Sequence, residues 1–392
     1  MPLIDRIRET PEMADALERI RRSRQLLEDH LEQAEPFHGA LRRQVMASVV
    51  HYSTKIEGNK LTREQVEAII AGEAVEAPEK DRVEAIDYFQ AMRWAQTRAL
   101  DPEWRMSHET ILTLHFLVGQ NLGRDYTPLG RYRERQNTVS DRRSGAVIFW
   151  PPRPEEVRPL MQEFVEWCRR QENSGLDPYI VNALAHINFV AIHPFSDGNG
   201  RVARVICSLL MMRDGYRAQA FYSLEEYFGA NWHEYAQQIE RCLGPRWDPG
   251  RVDASSWVEW YLNAVARQVS DAEARIRRLI GTFDVIFAGF HVDEFSATRQ
   301  AVAVWQVIED GSVTNRSYRL AVGVSAKTAS DELGALARAG YLDAVGRARG
   351  AHYLAGPKVR AWGELDRLIE LLDTDGVEAL MRHLSEPDGR LF

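Results

Sequence analysis

His193-Pro194-Phe195-Ser196-Asp197-Gly198-Asn199-Gly200-Arg201-Val202-Ala203-Arg204 is the stretch on which the reading of this chain turns. It gathers an imidazole, a carboxylate, two glycines about an amide, and two guanidinium groups. That inventory suits a polyphosphate. Gly198 and Gly200 let the main chain come close to an anion and take dihedrals that other residues avoid. The residues from Val202 to Met212 are mostly apolar, which predicts a helix after the glycines. The N–H groups of its first turn and the positive end of its dipole would then face the loop. Arg201 and Arg204 stand three apart, so they share a helical face and offer forked donors to phosphate oxygens. Asp197 is a hard oxygen ligand suited to Mg²⁺, and His193 is left as a proton acceptor. A lone histidine, an Asp-Gly turn or a pair of surface arginines is commonplace. One short loop holding all of them points to chemistry.

These residues resemble the Fic-family signature, His-x-Phe-x-(Asp/Glu)-Gly-Asn-Gly-Arg-x-x-Arg, and meet it at every specified position. The resemblance implies a mainly helical domain that transfers AMP from ATP to a Ser, Thr or Tyr hydroxyl of a target protein or of the chain itself. It implies His193 as general base and Asp197 as the Mg²⁺ ligand. It also implies Gly198, Asn199 and Gly200 as an anion hole, Arg201 and Arg204 as phosphate holders, and Phe195 as the loop's anchor in the core. Tyr235 matches an aromatic residue that borders the adenosine in relatives, with Asn231 a second candidate. Relatives of the death-on-curing toxin phosphorylate their target instead, but their signature lacks the second glycine and the last arginine. Gly200 and Arg204 are both present here, which favours nucleotide transfer. The nucleotide donor itself is not legible from a loop that reads phosphates.

Upstream, Ser53-Thr54-Lys55-Ile56-Glu57-Gly58 is similar to the Ser-x-x-x-Glu-Gly inhibitory motif of many Fic proteins. Ser53 and Glu57 are four apart and therefore share a helical face. By the resemblance, Glu57 pairs with Arg204 and occupies the donor that the γ-phosphate needs. In some inhibited relatives this glutamate also serves to remove AMP. Thr138-Val139-Ser140 and Ala146-Val147-Ile148-Phe149-Trp150 are β-prone runs around Asp141-Arg142-Arg143-Ser144-Gly145, which predicts a hairpin. In Fic proteins such a hairpin is a flap that docks the target as an added strand, which singles out Val147 and Ile148. The resemblance extends over about residues 40–245.

The rest of the chain frames this core. A length of 392 residues suggests two or three domains. The boundaries read as 1–100 for an N-terminal helical region carrying the inhibitory motif, and 101–250 for the Fic core. A helical connector at 251–290 and a winged helix-turn-helix domain with a terminal helix at 291–392 complete the expected architecture. Helices are expected at 82–100, 106–120, 154–171 and 178–192, and His186 reads as a packed residue. Beyond the connector, helical runs at 297–309, 314–321 and 326–339 precede a small hairpin, with Ser325 capping the last of them. The expected fold class is therefore mainly α. A net charge of −8 argues against general coating of nucleic acid. Residues 299–360, however, hold nine Lys+Arg against five Asp+Glu, so DNA is an admissible partner there. Asp331 and Glu332, inside the would-be reading helix, weigh against it. A rival reading makes the chain a DNA-binding regulator that only senses ATP. Cys168, Cys207 and Cys242 suit a reducing compartment, and with no signal-peptide core or membrane-length apolar run the expected location is the cytoplasm. ATP, a protein substrate and a second copy of the chain are the further partners considered, and no membrane is expected.

Overall fold

A computed structural model of the chain describes residues 3–33, 38–122, 128–140, 144–172, 174–213, 221–289, 294–346, 351–362 and 365–385. The chain is mainly α, as its patterning predicts, and divides into two compact units. One comprises residues 1–25 and 42–272, the other residues 26–41 and 273–392. The division between residues 272 and 273 falls inside a long helix, Ser255–Gly289, within the stretch read from sequence as a helical connector.

The first unit holds α1 (Pro11–Gln33) up to Gln25 and α2 (His38–Ile56) from Arg42 on, and α2 leads to a stop at Gly58, whose φ of 98° is closed to most side chains. Thr62 and Gln65 cap each other at the start of α3 (Arg63–Ile70), the reciprocal box that the sequence predicts. Next come α4 (Glu79–Ala99) and α5 (His108–Leu117), the latter capped by Ser107. Strands β1 (Val139–Ser140) and β2 (Val147–Phe149) form an antiparallel hairpin, with Val139 opposite Phe149 and an irregular register. Its turn residues Asp141, Arg142 and Arg143 lie outside the described residues.

Two helices form the centre. Helix α6 (Pro154–Gln171) packs on α7 (Pro178–Ile192), and α7 packs on α8 (Asn199–Arg213). Helix α7 is buried almost all round, which its nearly uninterrupted apolar sequence demands. Helix α8 is also covered by α4 and α5. The short link between α7 and α8 is thus held at both ends by the best-packed part of the unit. Helix α8 starts at Asn199, three residues ahead of the predicted start. Asn199 and Gly200 are tolerated there because the first turn makes no intrahelical N–H bonds. Helices α9 (Leu224–Ala230) and α10 (Trp232–Leu243) and the start of α11 (Ser255–Gly289) close the unit.

In the second unit, α12 (Glu294–Asp310), α13 (Asn315–Val322) and α14 (Ala326–Arg338) precede an antiparallel hairpin of β3 (Leu342–Val345) and β4 (His352–Ala355). Ser325 caps α14 through the amide of Thr328, as its position predicts. Val304, Tyr318, Leu333 and Leu342 belong to one core cluster. Glu332 is turned into that core, where Arg299 meets it at 2.6 Å and the Tyr318 hydroxyl donates to it at 2.6 Å. It is therefore absent from the outer face of α14, where it would weigh against DNA binding. Helices α15 (Pro357–Ala361) and α16 (Leu365–Ser385) end the described chain, α16 breaking at Gly376. No helix among the described residues is long and apolar enough to cross a membrane.

Candidate active site

The α7–α8 link builds a cradle from its own residues. His193 ends α7 in the left-handed conformation (φ 50°, ψ 56°) and is the one non-glycine residue with positive φ among the described residues. Backbone strain of this kind persists only where the surroundings impose it. Arg133 imposes it, donating from Nε to the His193 carbonyl at 2.9 Å and from its backbone N–H to the Pro194 carbonyl at 2.9 Å. Phe195 is fully buried and stacks on His115, with ring centroids 3.7 Å apart. The Asn199 side chain clasps the loop, accepting from the Phe195 amide at 2.9 Å and donating to the Phe195 carbonyl at 2.9 Å. Its amide is thus spent on loop shape, and only its backbone remains for an anion. Gly198, with φ 79°, starts the helix by offering its carbonyl to Val202.

The His193 ring is oriented by one contact. Its Nδ1 lies 3.2 Å from the Val190 carbonyl, which can only accept, so the proton sits on Nδ1 and Nε2 keeps its lone pair. Burial pushes its pKa down to about 4; Arg133 adds to that shift, while the Val190 carbonyl, Asp197 and Glu57 oppose it. His115 is lowered to about 4, by burial first and then by Arg201, against a bond to the Asp197 backbone. His186 is lowered to about 3, by burial and then by Arg204. Each native value lies below the unfolded value of about 6.5, so the native state binds fewer protons in that window. The stability these neutral rings supply is complete above about pH 6.5 and is lost as pH falls toward 4. NMR ring resonances of all three should therefore keep neutral shifts from about pH 8 to pH 5. A His193 midpoint above about pH 6 would contradict a buried ring held neutral near pH 7.

Beneath the cradle lies a latch. Arg204 is buried, and it donates from Nε to the Ser53 hydroxyl at 2.7 Å and from Nη2 to the Ser53 carbonyl at 3.0 Å. The same Nη2 meets Glu57 Oε1 at 2.9 Å. Burial pulls the guanidinium pKa down, but the surrounding acidic groups, Glu57 foremost, raise it overall. Gly200 fits under this pair because it has no side chain. A Cβ there would lie 2.8 Å from Glu57 Oε1 and 3.1 Å from Arg204 Nη1. Arg201 goes elsewhere, pairing through Nη1 with Glu84 of α4 at 2.6 Å.

A cavity of about 380 Å³ opens over the loop. His193, Asp197, Gly198, Gly200, Arg204 and Glu57 line it, together with the more apolar Ile148, Tyr235 and Ile239. That size and mixed lining suit a small-molecule ligand with both charged and apolar parts. Of the residues that the sequence singles out, Asn199 also lines the cavity. Arg201 does not, because its guanidinium faces Glu84; Ser53 lies buried under Arg204; and Val147 is exposed. Tyr235 lines the cavity while its hydroxyl bonds His186 Nε2 at 2.8 Å, so His186 is a packed residue, as its apolar neighbours predict. Sequence reasoning missed Glu84, His115 and Arg133. Nothing in their local sequence marks them, since each acts on the loop from a distant element.

Residues 105–211 match the model of the Fic/DOC family. Among curated proteins, the chain is 31% identical over 172 residues to Protein adenylyltransferase Fic of Nematostella vectensis, covering 43% of this chain and 38% of that one. It is 32% identical over 221 residues to Protein adenylyltransferase fic-1 of Caenorhabditis elegans, covering 55% of this chain and 41% of the relative. The chain thus spans about two fifths of the length of these relatives. A solved Fic family protein from Desulfovibrio desulfuricans G20 shares the fold, with a TM-score of 0.62 at 21% identity over 91% of this chain and 99% of that one. Fic-1 from Caenorhabditis elegans, residues 134–508, gives a TM-score of 0.50 at 27% identity over 68% of this chain and 72% of that one.

Proposed function

We propose that the chain, whose residues 105–211 match the Fic/DOC family model, is a protein adenylyltransferase held in check by its own Glu57. One observation carries this reading. The lone pair of His193 Nε2, the Asp197 carboxylate and the first turn of α8 share a single cavity with Arg204. Relatives named as adenylyltransferases support the same direction.

In this mechanism the N–H groups opening α8 receive the triphosphate, where the helix dipole favours negative charge. Arg204, once released by Glu57, adds a forked donor. The apolar lining around Ile148 and Tyr235 holds the nucleoside. The Asp197 side chain is 61% exposed beside the loop, and no cluster of three or more His, Cys, Asp or Glu is found among the described residues. A single open carboxylate fits Mg²⁺, which binds through one or two carboxylates plus phosphate oxygens. Mg²⁺ held by Asp197 would neutralise phosphate charge. His193 accepts the proton of a target Ser, Thr or Tyr hydroxyl at Nε2, and the oxygen attacks the α-phosphorus as the bond to pyrophosphate breaks. Fixed geometry and preorganised charge provide most of the acceleration. Incubating the Glu57→Gly chain with ATP labelled at the α-phosphate tests this; a chain that stays unlabelled would reject it.

The second unit supports a further reading as a winged helix-turn-helix that binds DNA. Its carrying observation is that Glu332 points into the core, while Arg316, Arg319, Lys327 and Arg338 are exposed on α13 and α14. Gel shifts with duplex fragments should then weaken steeply between about 50 and 200 mM salt, as expected for several phosphate contacts. No shift at low salt would instead favour a protein-binding role. The cysteines are buried thiols, in keeping with a cytoplasmic protein.

A further inference from the structure

We propose that Glu84 is a positioning residue that keeps the Asp197 carboxylate available to a divalent cation by holding Arg201 away from it. The inference rests on the adenylyltransferase reading above. Glu84 sits on α4 and is buried, with both carboxylate oxygens engaged. Oε1 pairs with Arg201 Nη1 at 2.6 Å, and Oε2 accepts from Asn59 Nδ2 at 2.9 Å. The opposite nitrogen of the same guanidinium, Nη2, stands 3.7 Å from Asp197 Oδ1. One cation therefore lies between two carboxylates, close to the buried one and farther from the exposed one.

The difference in surroundings decides which carboxylate holds it. The Arg201 and Glu84 side chains are 4% and 7% exposed, whereas Asp197 is 61% exposed. Attraction is weakly screened in the buried pair and strongly screened at the open one. While Glu84 is charged, Arg201 stays on it, and Asp197, whose Oδ1 accepts from the Gly198 amide at 2.6 Å, keeps its carboxylate at the edge of the cavity. A neutral side chain at position 84 leaves the guanidinium without its buried counter-charge. Closing the gap to Asp197 then becomes the available compensation, and the new ion pair competes with a cation for the same oxygen.

Asn59 ties this arrangement to the inhibitory segment. It follows Glu57 by two residues; its Nδ2 also donates to the Asp81 carbonyl at 2.9 Å, and its Oδ1 accepts from the Leu61 amide at 3.0 Å. The chain leaving α2 thus fixes Glu84 while Glu57 fixes Arg204. Arg201 is thus paired most closely with Glu84 and Arg204 with Glu57, and of those two glutamates Glu57 borders the cavity.

The test compares Glu84→Gln with its parent in the Glu57→Gly background. Labelling is measured across a Mg²⁺ series, and ATP affinity by calorimetry in Mg²⁺ and in EDTA. The expected result is about a tenfold higher Mg²⁺ requirement (~1.4 kcal/mol), with ATP affinity in EDTA changed less than about twofold. Adding Arg201→Gln to Glu84→Gln removes both buried charges, a change that folds more readily than removing one. The Mg²⁺ requirement of this double variant should fall below that of Glu84→Gln. An unchanged Mg²⁺ requirement in Glu84→Gln, or an equal loss of ATP affinity with and without Mg²⁺ in either variant, would overturn the proposal. Should the Glu57→Gly parent transfer no AMP, the functional reading fails, while calorimetry still decides the role of Glu84.

Discussion

Glu57→Gly should raise self-labelling from ATP by about 10²-fold, the effect expected when a latch worth ~3 kcal/mol is removed from a binding-competent state. Two consequences of one side chain combine to give it. Glu57 Oε1 holds Arg204 Nη2 at 2.9 Å, so a phosphate must compete for that donor. The same oxygen lies 2.8 Å from where a Gly200 side chain would begin, which places a negative charge over the first turn of α8. An anion arriving at the helix start meets a carboxylate there. Substitution with glycine removes both obstacles and leaves Arg204 still held by the Ser53 hydroxyl and carbonyl. Ser53→Ala should therefore do much less than Glu57→Gly. Autoradiography of equal amounts of protein checks the pair, and equal labelling of wild type and Glu57→Gly would remove the inhibitory role.

His193→Ala in the Glu57→Gly background lowers labelling by about 10²–10⁴-fold, the range expected for loss of a positioned general base. The ring is held through Nδ1 by the Val190 carbonyl of α7, so that N–H is not a donor to phosphates. ATP affinity by calorimetry should consequently stay within about twofold, so the loss appears in turnover rather than binding. The neutral state imposed by burial sets the pH dependence. Below the depressed pKa the ring is protonated and cannot accept a proton, so the acid limb of labelling should lie well below pH 6.5. Labelling undiminished by His193→Ala would assign the base elsewhere.

The loop was legible because its chemistry is contiguous. His193, Asp197, Gly198 and Gly200 come to one cavity simply by forming a tight link between two buried helices. The α2 latch was also legible, since Ser53 and Glu57 share a face whatever they meet. Arg201 shows where that style of reading stops. Helical spacing places it beside Arg204, but whether it turns to a phosphate or to Glu84 depends on a helix 117 positions away in sequence. Glu332 repeats the lesson in the second unit. The sequence counts it against DNA binding by the reading helix, whereas Arg299 and Tyr318 hold it in the core. Helix interiors were placed well by apolar spacing. The starts of α6, α7 and α14 fell where expected, but that of α8 did not, because its first turn accepts Asn199 and Gly200 without loss of hydrogen bonds.

Paired labelling of the Glu57→Gly chain with ATP carrying the label on the α-phosphate or on the γ-phosphate tests AMP transfer most directly. Label retained from the α position and absent from the γ position is the predicted result. Label arriving from the γ position, or from neither, would contradict it.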